Sequence, residues 1–98
     1  MDFKVIWSDP AIESLGEIVR HVARENAPAA LRLGQQLVAR AEITARFPES
    51  GPIYRPASPL VIRSLSEGNY RIYYRVLPAP RTVEIVAVRH SARRQPEF

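Results

Sequence analysis

Tyr70-Arg71-Ile72-Tyr73-Tyr74-Arg75-Val76-Leu77 is the stretch from which the rest of the chain can be read. Its side chains alternate strictly. Tyr70, Ile72, Tyr74 and Val76 fall on one face, and Arg71, Tyr73 and Arg75 on the other, as in a strand with one covered and one solvated side. Ser66-Glu67-Gly68-Asn69 precedes it as a turn in which Gly68 and Asn69 tolerate positive φ. Before that turn, Leu60 to Leu65 reads as another strand. After the stretch, Pro78-Ala79-Pro80-Arg81 turns the chain again. Thr82 to His90 follows, β-branched and apolar on both sides through Val88, as suits a central strand.

Upstream the period changes. Phe3, Val5 and Trp7 alternate as a short strand, and Asp9 is placed as the N-cap of a helix with Pro10 in its first turn. Ile12, Leu15, Val19 and Val22, with Ile18 beside them, recur at helical spacing over residues 10–25. Asn26 breaks that helix and caps a second, from about Pro28 to Arg46, with Ala30, Leu33, Leu37, Ala41 and Ala45 inward. Pro48 stops it, and residues 48–59, with five prolines and glycines, read as an irregular loop. The connection at Asn26 is short, so the helices should form an antiparallel hairpin. The fold class is therefore α+β, in the order β-α-α-β-β-β, with an antiparallel sheet carrying the helix hairpin on one face. Residues 1–98 form one domain: hairpin 9–47, sheet 3–7 and 60–90, polar tail 91–98.

Charge separates the two halves of the chain. Residues 1–54 carry six basic and seven acidic side chains, whereas residues 55–98 carry eight arginines against three glutamates. Thirteen of the fourteen cations are arginine, whose planar fork pairs with carboxylates and phosphates. The absence of cysteine rules out disulfides and thiolate chemistry and fits a cytoplasmic protein. No stretch has the length of a signal peptide's apolar core or of a membrane span.

Few residues offer chemistry. His21 and His90 belong to different elements and the carboxylates are scattered, so no metal site and no cofactor is expected. Ser91 adjoins His90, but without a glycine elbow or a third partner it makes no triad. What remains is an arginine stripe on the uncovered sheet face: Arg71, Tyr73 and Arg75, joined by Arg63 from the neighbouring strand. Arg89 or His90, then Arg93 and Arg94, would close one end. An aromatic ring among guanidinium groups can receive a base and its phosphates. On the helices, charges of both signs alternate and nothing marks a binding groove.

Several phrases in order resemble one family. They are VIWSDPAIESLGEI (5–18), ENAPAALRL (25–33), RFPESG (46–51), VIRSLSEGNYRIYYRV (61–76) and VEIVAVRHSARRQP (83–96). Together they resemble the ParE/RelE toxins of type II toxin–antitoxin, or plasmid stabilisation, modules over nearly the whole length. The resemblance implies a growth-inhibiting cytoplasmic toxin held in a hetero-oligomer with an adjacently encoded acidic antitoxin. It implies two alternative activities. ParE-like members bind DNA gyrase, which would make Arg63, Arg71, Tyr73, Arg75, Arg89, His90, Arg93 and Arg94 target-binding residues. RelE-like members cleave mRNA on the ribosome without a metal, which would give Arg63, Arg71 and Arg93 the scissile phosphate and His90 the proton transfer. Phe98 lacks the hydroxyl that RelE-like relatives often carry near the C-terminus, and one lysine is few for a ribosome-directed protein, so the ParE side is favoured. A non-toxic protein-binding domain of the same fold is the third reading.

Overall fold

The computed structural model describes residues 2–55 and 61–93. Its elements are β1 (Lys4–Trp7), α1 (Asp9–Ala23), α2 (Ala27–Glu42), a 3₁₀ turn at Ile43–Ala45, β2 (Ile53–Arg55), β3 (Ile62–Glu67), β4 (Tyr70–Leu77) and β5 (Thr82–His90). The five strands form one sheet in the order β1-β5-β4-β3-β2.

The α+β architecture and the helix hairpin are as expected, but the sheet is mixed. β1 lies parallel to β5, from Lys4 opposite Thr82 to Trp7 opposite Ile85. β4 has β3 on one side and β5 on the other, so β5's outer edge is the place left for β1. The amide of Ser8 then donates to Ile85 O at 3.0 Å and holds the exit of β1 on that edge. A second departure is β2, a three-residue strand inside what reads as loop. Its proline-rich flanks hide it, and its pairing with β3 is broken by an irregular register between Ile53 and Arg55.

Helix starts follow cap chemistry, shifted by one residue at α1. Ser8, not Asp9, is the N-cap, its hydroxyl accepting from the Ala11 amide at 3.2 Å. Asp9 sits in the first turn, where a carboxylate favours the helix dipole. Asn26 caps α2 as expected, accepting from Ala29 at 2.9 Å. The regular part of α2 ends at Glu42, and the 3₁₀ turn carries the chain on toward Pro48.

The main core lies between the sheet and the hairpin. Ala11, Leu37, Ala41, Leu65, Ile72, Tyr74, Val83, Ile85 and Val88 are buried in it, with Phe3, Val5, Trp7, Leu15, Ile18, Leu33, Tyr70 and Val76 at its margin. The alternation of β4 thus has the expected sense: Tyr70, Ile72, Tyr74 and Val76 face the helices. The stripe on α1 is broader than the core requires. Ile12 is 55% exposed, and Val19 lines a shallow apolar trough on the hairpin's outer side with Leu15, Leu31, Gly34 and Val38. This trough replaces the featureless solvated helix surface that the sequence suggests.

One contact joins the irregular segment to this core. The Gly51 amide donates to the Tyr74 hydroxyl at 2.9 Å, entirely buried. A Cβ on Gly51 would stand 2.7 Å from Ser64 O and 2.8 Å from that hydroxyl, so only glycine fits.

Candidate functional site

The helix-free side of the sheet is not an open platform. Ile62, Tyr73 and Ala87 form a second, smaller buried cluster there, with Tyr54 and Val86 packed on it. A bulge in β5 is responsible: Tyr73 pairs with Ala87 and Tyr74 with Ile85, so Val86 is the extra residue and joins Ala87 on this side. Tyr54 from β2 meets the Tyr73 ring edge-to-face with centroids 4.9 Å apart. Tyr73 was expected to present an aromatic ring to a ligand; it is fully buried and has no face to offer.

The arginines of this face separate into two kinds. Arg75 pairs across the strands with Glu84, Nε to Oε1 at 2.6 Å, and is neutralised. Arg71 lies opposite Arg89, like charge to like charge, and neither has a carboxylate within 4.0 Å among the described residues. Both guanidinium groups act on the Tyr73 phenol. Burial and then Tyr54 push that phenol above its ordinary value, while Arg71 and Arg89 pull it down.

Arg63 does not join this stripe. It pairs with Tyr74, so it points to the helix side, and its guanidinium donates to Glu49 O at 3.3 Å and Gly51 O at 2.8 Å. The Glu49 carboxylate stands 3.6 Å away. Arg63 clamps the segment before β2. From Arg71 it is three residues along the strand direction, about 10 Å, and on the opposite face.

His90 also lies on the helix side, opposite Tyr70, the two rings in edge contact at 5.1 Å. Its Nδ1 accepts the Ala92 amide at 3.0 Å. The neutral ring therefore carries its proton on Nε2 and has no spare lone pair. Arg93 follows in the turn after β5, and Arg94 lies outside the described residues.

His90 and Arg93 open onto a cleft of about 430 Å³ between α1 and the end of β5. From α1 it receives Ser14, Glu17, Arg20 and His21, from the cap that ends this helix Arg24, and from the sheet side Tyr70, Arg89, His90 and Arg93, over a floor of Ile18 and Val88. The two histidines, which sequence distance assigns to separate elements, share this cleft. Ser14, Glu17, His21 and Arg24 recur at spacings of three, four and three. That polar stripe beside the apolar one is a signal the sequence held, though it names no partner across the gap.

Among the described residues no three histidines or carboxylates stand together as metal ligands. No helix among them is long and apolar enough to cross a membrane.

No curated protein matches the chain. Solved structures do. The chromosomal ParDE system of P. aeruginosa superposes with a TM-score of 0.73 at 21% identity, covering 90% of this chain and 95% of that one. The RelBE2 toxin–antitoxin complex of Mycobacterium tuberculosis gives 0.70 at 24% identity, covering 92% and 99%. A mutant of the E. coli toxin RelE in the free state gives 0.63 at 15% identity, covering 94% and 86%. At such identities these likenesses are ones of fold, and they span both branches of the superfamily. The family model described as the ParE toxin of the parDE type II toxin–antitoxin system matches residues 5–95. With a fold shared by both branches and a sequence match to one family over nearly its whole length, the chain belongs to the ParE toxins of type II toxin–antitoxin systems.

Proposed function

We propose that this toxin acts by binding, with DNA gyrase as its target, and not by cutting mRNA. The observation that carries the reading is the dispersal of the groups a metal-free ribonuclease would need. Such an enzyme must deprotonate a 2′-hydroxyl, stabilise a phosphorane and protonate a leaving oxygen at one point. Arg63 is turned to the helix side and spent on backbone carbonyls. Arg71 is on the other face, and His90 holds its only free lone pair against Ala92. A contact surface has no such demand for convergence. Arg71 and Arg89 at the sheet end, with His90, Arg93 and Arg94 after them, then serve as the docking edge.

The neutralising partner is a cognate antitoxin, as in the M. tuberculosis complex, acidic and encoded beside the toxin gene. The opposed Arg71 and Arg89 attract it and the apolar trough on the hairpin buries part of it. The test is expression of the chain alone, followed by assay of purified gyrase. SOS induction, filamentation and loss of supercoiling are expected. Intact supercoiling with transcripts cut on the ribosome would replace this reading by the RelE-like one. Unimpaired growth at good soluble expression would point to a non-toxic binding domain.

A further inference from the structure

The chain leaves β5 through a turn at residues 90–93. The Ser91 amide donates to Asn69 O at 2.7 Å, which ties the turn to the one between β3 and β4, and the Arg93 amide donates to His90 O at 3.0 Å. Both acceptors are backbone carbonyls and are indifferent to pH. The Ala92 amide is different, because its acceptor is a side chain: Nδ1 of His90, at 3.0 Å. A side chain that accepts from the amide two residues on is the device by which asparagine and aspartate stabilise turns. In histidine the accepting atom is also the one that takes a proton. A neutral imidazole has one lone pair, whereas a protonated ring carries N–H on both nitrogens. Protonation therefore sets a donor against the Ala92 amide where an acceptor stood.

The surroundings offer the charged ring nothing in exchange. From β4 it meets the edge of Tyr70, at 5.1 Å between centroids. Across the cleft stand Glu17, Arg20 and His21 of α1 and Arg24 at its cap. Arg93 follows in the turn, and Arg89 precedes it with its side chain on the other face of the sheet. Among the described residues no carboxylate lies within 4.0 Å of either ring nitrogen. The protonated ring thus loses a hydrogen bond and gains no ion pair. It is half-buried and borders the cleft, so a proton from solvent can reach it. Ser91 remains tied to Asn69 whatever the charge on the ring, and the release begins at Ala92.

We propose that His90 is a pH-sensitive latch on the turn that ends β5, closed while the ring is neutral and opened when Nδ1 takes a proton. Opening leaves the ladder from Tyr70 to Leu77 in place and frees the backbone that carries Arg93. The bearing of the latch on partner binding rests on the docking edge proposed above; the latch itself is a property of the free chain.

The test is NMR on the purified full chain from about pH 8 to about pH 5, the span in which histidines ordinarily change charge. The heteronuclear NOE of the Ala92 and Arg93 amides should fall with the midpoint shown by the His90 ring resonances, while that of Ser91 holds. His90→Asn keeps an acceptor for the amide two residues on and removes the titration, so the turn should stay ordered at both ends of the range. His90→Phe keeps a ring against Tyr70 without an acceptor. Its turn should be mobile throughout, and its Ala92 amide should exchange roughly two- to tenfold faster than wild type at about pH 8. His21→Asn should leave the response as it is. An NOE at Ala92 that does not change with pH overturns the proposal. So does a response that survives in His90→Asn or disappears in His21→Asn. No target enters the readout: a failed latch leaves the gyrase assignment standing, and intact gyrase leaves the latch standing.

Discussion

Arg71 and Arg89 face one another across β4 and β5 with no carboxylate within 4.0 Å among the described residues, four residues along β4 from Arg75, which Glu84 neutralises. Along β4, then, each outward arginine has its own partner across the ladder: a glutamate in one case, another arginine in the other. Directly opposed like charges destabilise a sheet by up to about 1 kcal/mol. A pair that works against the fold is the kind of feature retained where a surface has to meet something anionic.

Either arginine should therefore be replaceable at no cost to stability. Arg71→Gln or Arg89→Gln is expected to raise unfolding free energy by about 0.2–1 kcal/mol at low ionic strength, the gain shrinking as salt screens the repulsion. The same variants should lower affinity for the antitoxin or the target. Melting curves at two salt concentrations, beside a binding isotherm, check both limbs. A loss of stability in either variant would show that the pair is held by contacts other than charge.

The Tyr73 phenol carries a pH signature. Burial chiefly, and Tyr54 next, hold it above the ordinary value of 10.0, so the folded state keeps its proton where the unfolded chain has begun to lose it. This contribution to stability is present in full below the unfolded value. It falls as pH rises through the folded value, because the folded state then binds more protons than the unfolded one. Tyr73→Phe should flatten that alkaline decline. Arg89→Gln, by removing a cation that favours phenolate, should move the phenolate absorbance transition to still higher pH. An unchanged transition would mean that Arg89 does not act on this hydroxyl.

Tyr74→Phe isolates a different link. It removes the acceptor of the buried Gly51 amide and leaves the ring in the main core. An unsatisfied buried donor costs about 1–3 kcal/mol, so urea unfolding should shift by that amount with the slope unchanged. A shift below a few tenths of a kcal/mol would mean that the segment before β2 relaxes and finds another acceptor.

The trough on the hairpin is tested at Leu31, which is 63% exposed. Leu31→Asp should alter stability by no more than about 0.5 kcal/mol, as surface changes usually do. It should weaken the antitoxin complex by tenfold or more, about 1.4 kcal/mol in binding free energy. Undiminished affinity, measured by titration calorimetry, would place the antitoxin elsewhere.

Much of this chain is legible without coordinates because short-range physics writes it. The two-residue period of Tyr70–Leu77 follows from the pleat, and it assigned Tyr70, Ile72, Tyr74 and Val76 to the core correctly. The three-to-four-residue period and the polar break at Asn26 follow from helix geometry and capping. The arginine excess of the second half is a count. Each of these depends on neighbours in the chain.

The rest depends on which distant segments meet, and only the tertiary structure decides that. β1 lies beside β5, and parallel to it, where β4 is already flanked and the β5 edge is vacant. Tyr73 is buried because a bulge at Val86 and the ring of Tyr54, nineteen residues upstream, close over it. Arg63 has the residue type of the arginine stripe, but the register of β3 on β4 places it beside Tyr74, on the other face. His21 and His90 share a cleft because α1 packs over the end of β5. A period names the face on which a residue lies. Register and packing name what stands opposite, and at Arg71 and Arg89 that made a stripe of arginines into one opposed, uncompensated pair.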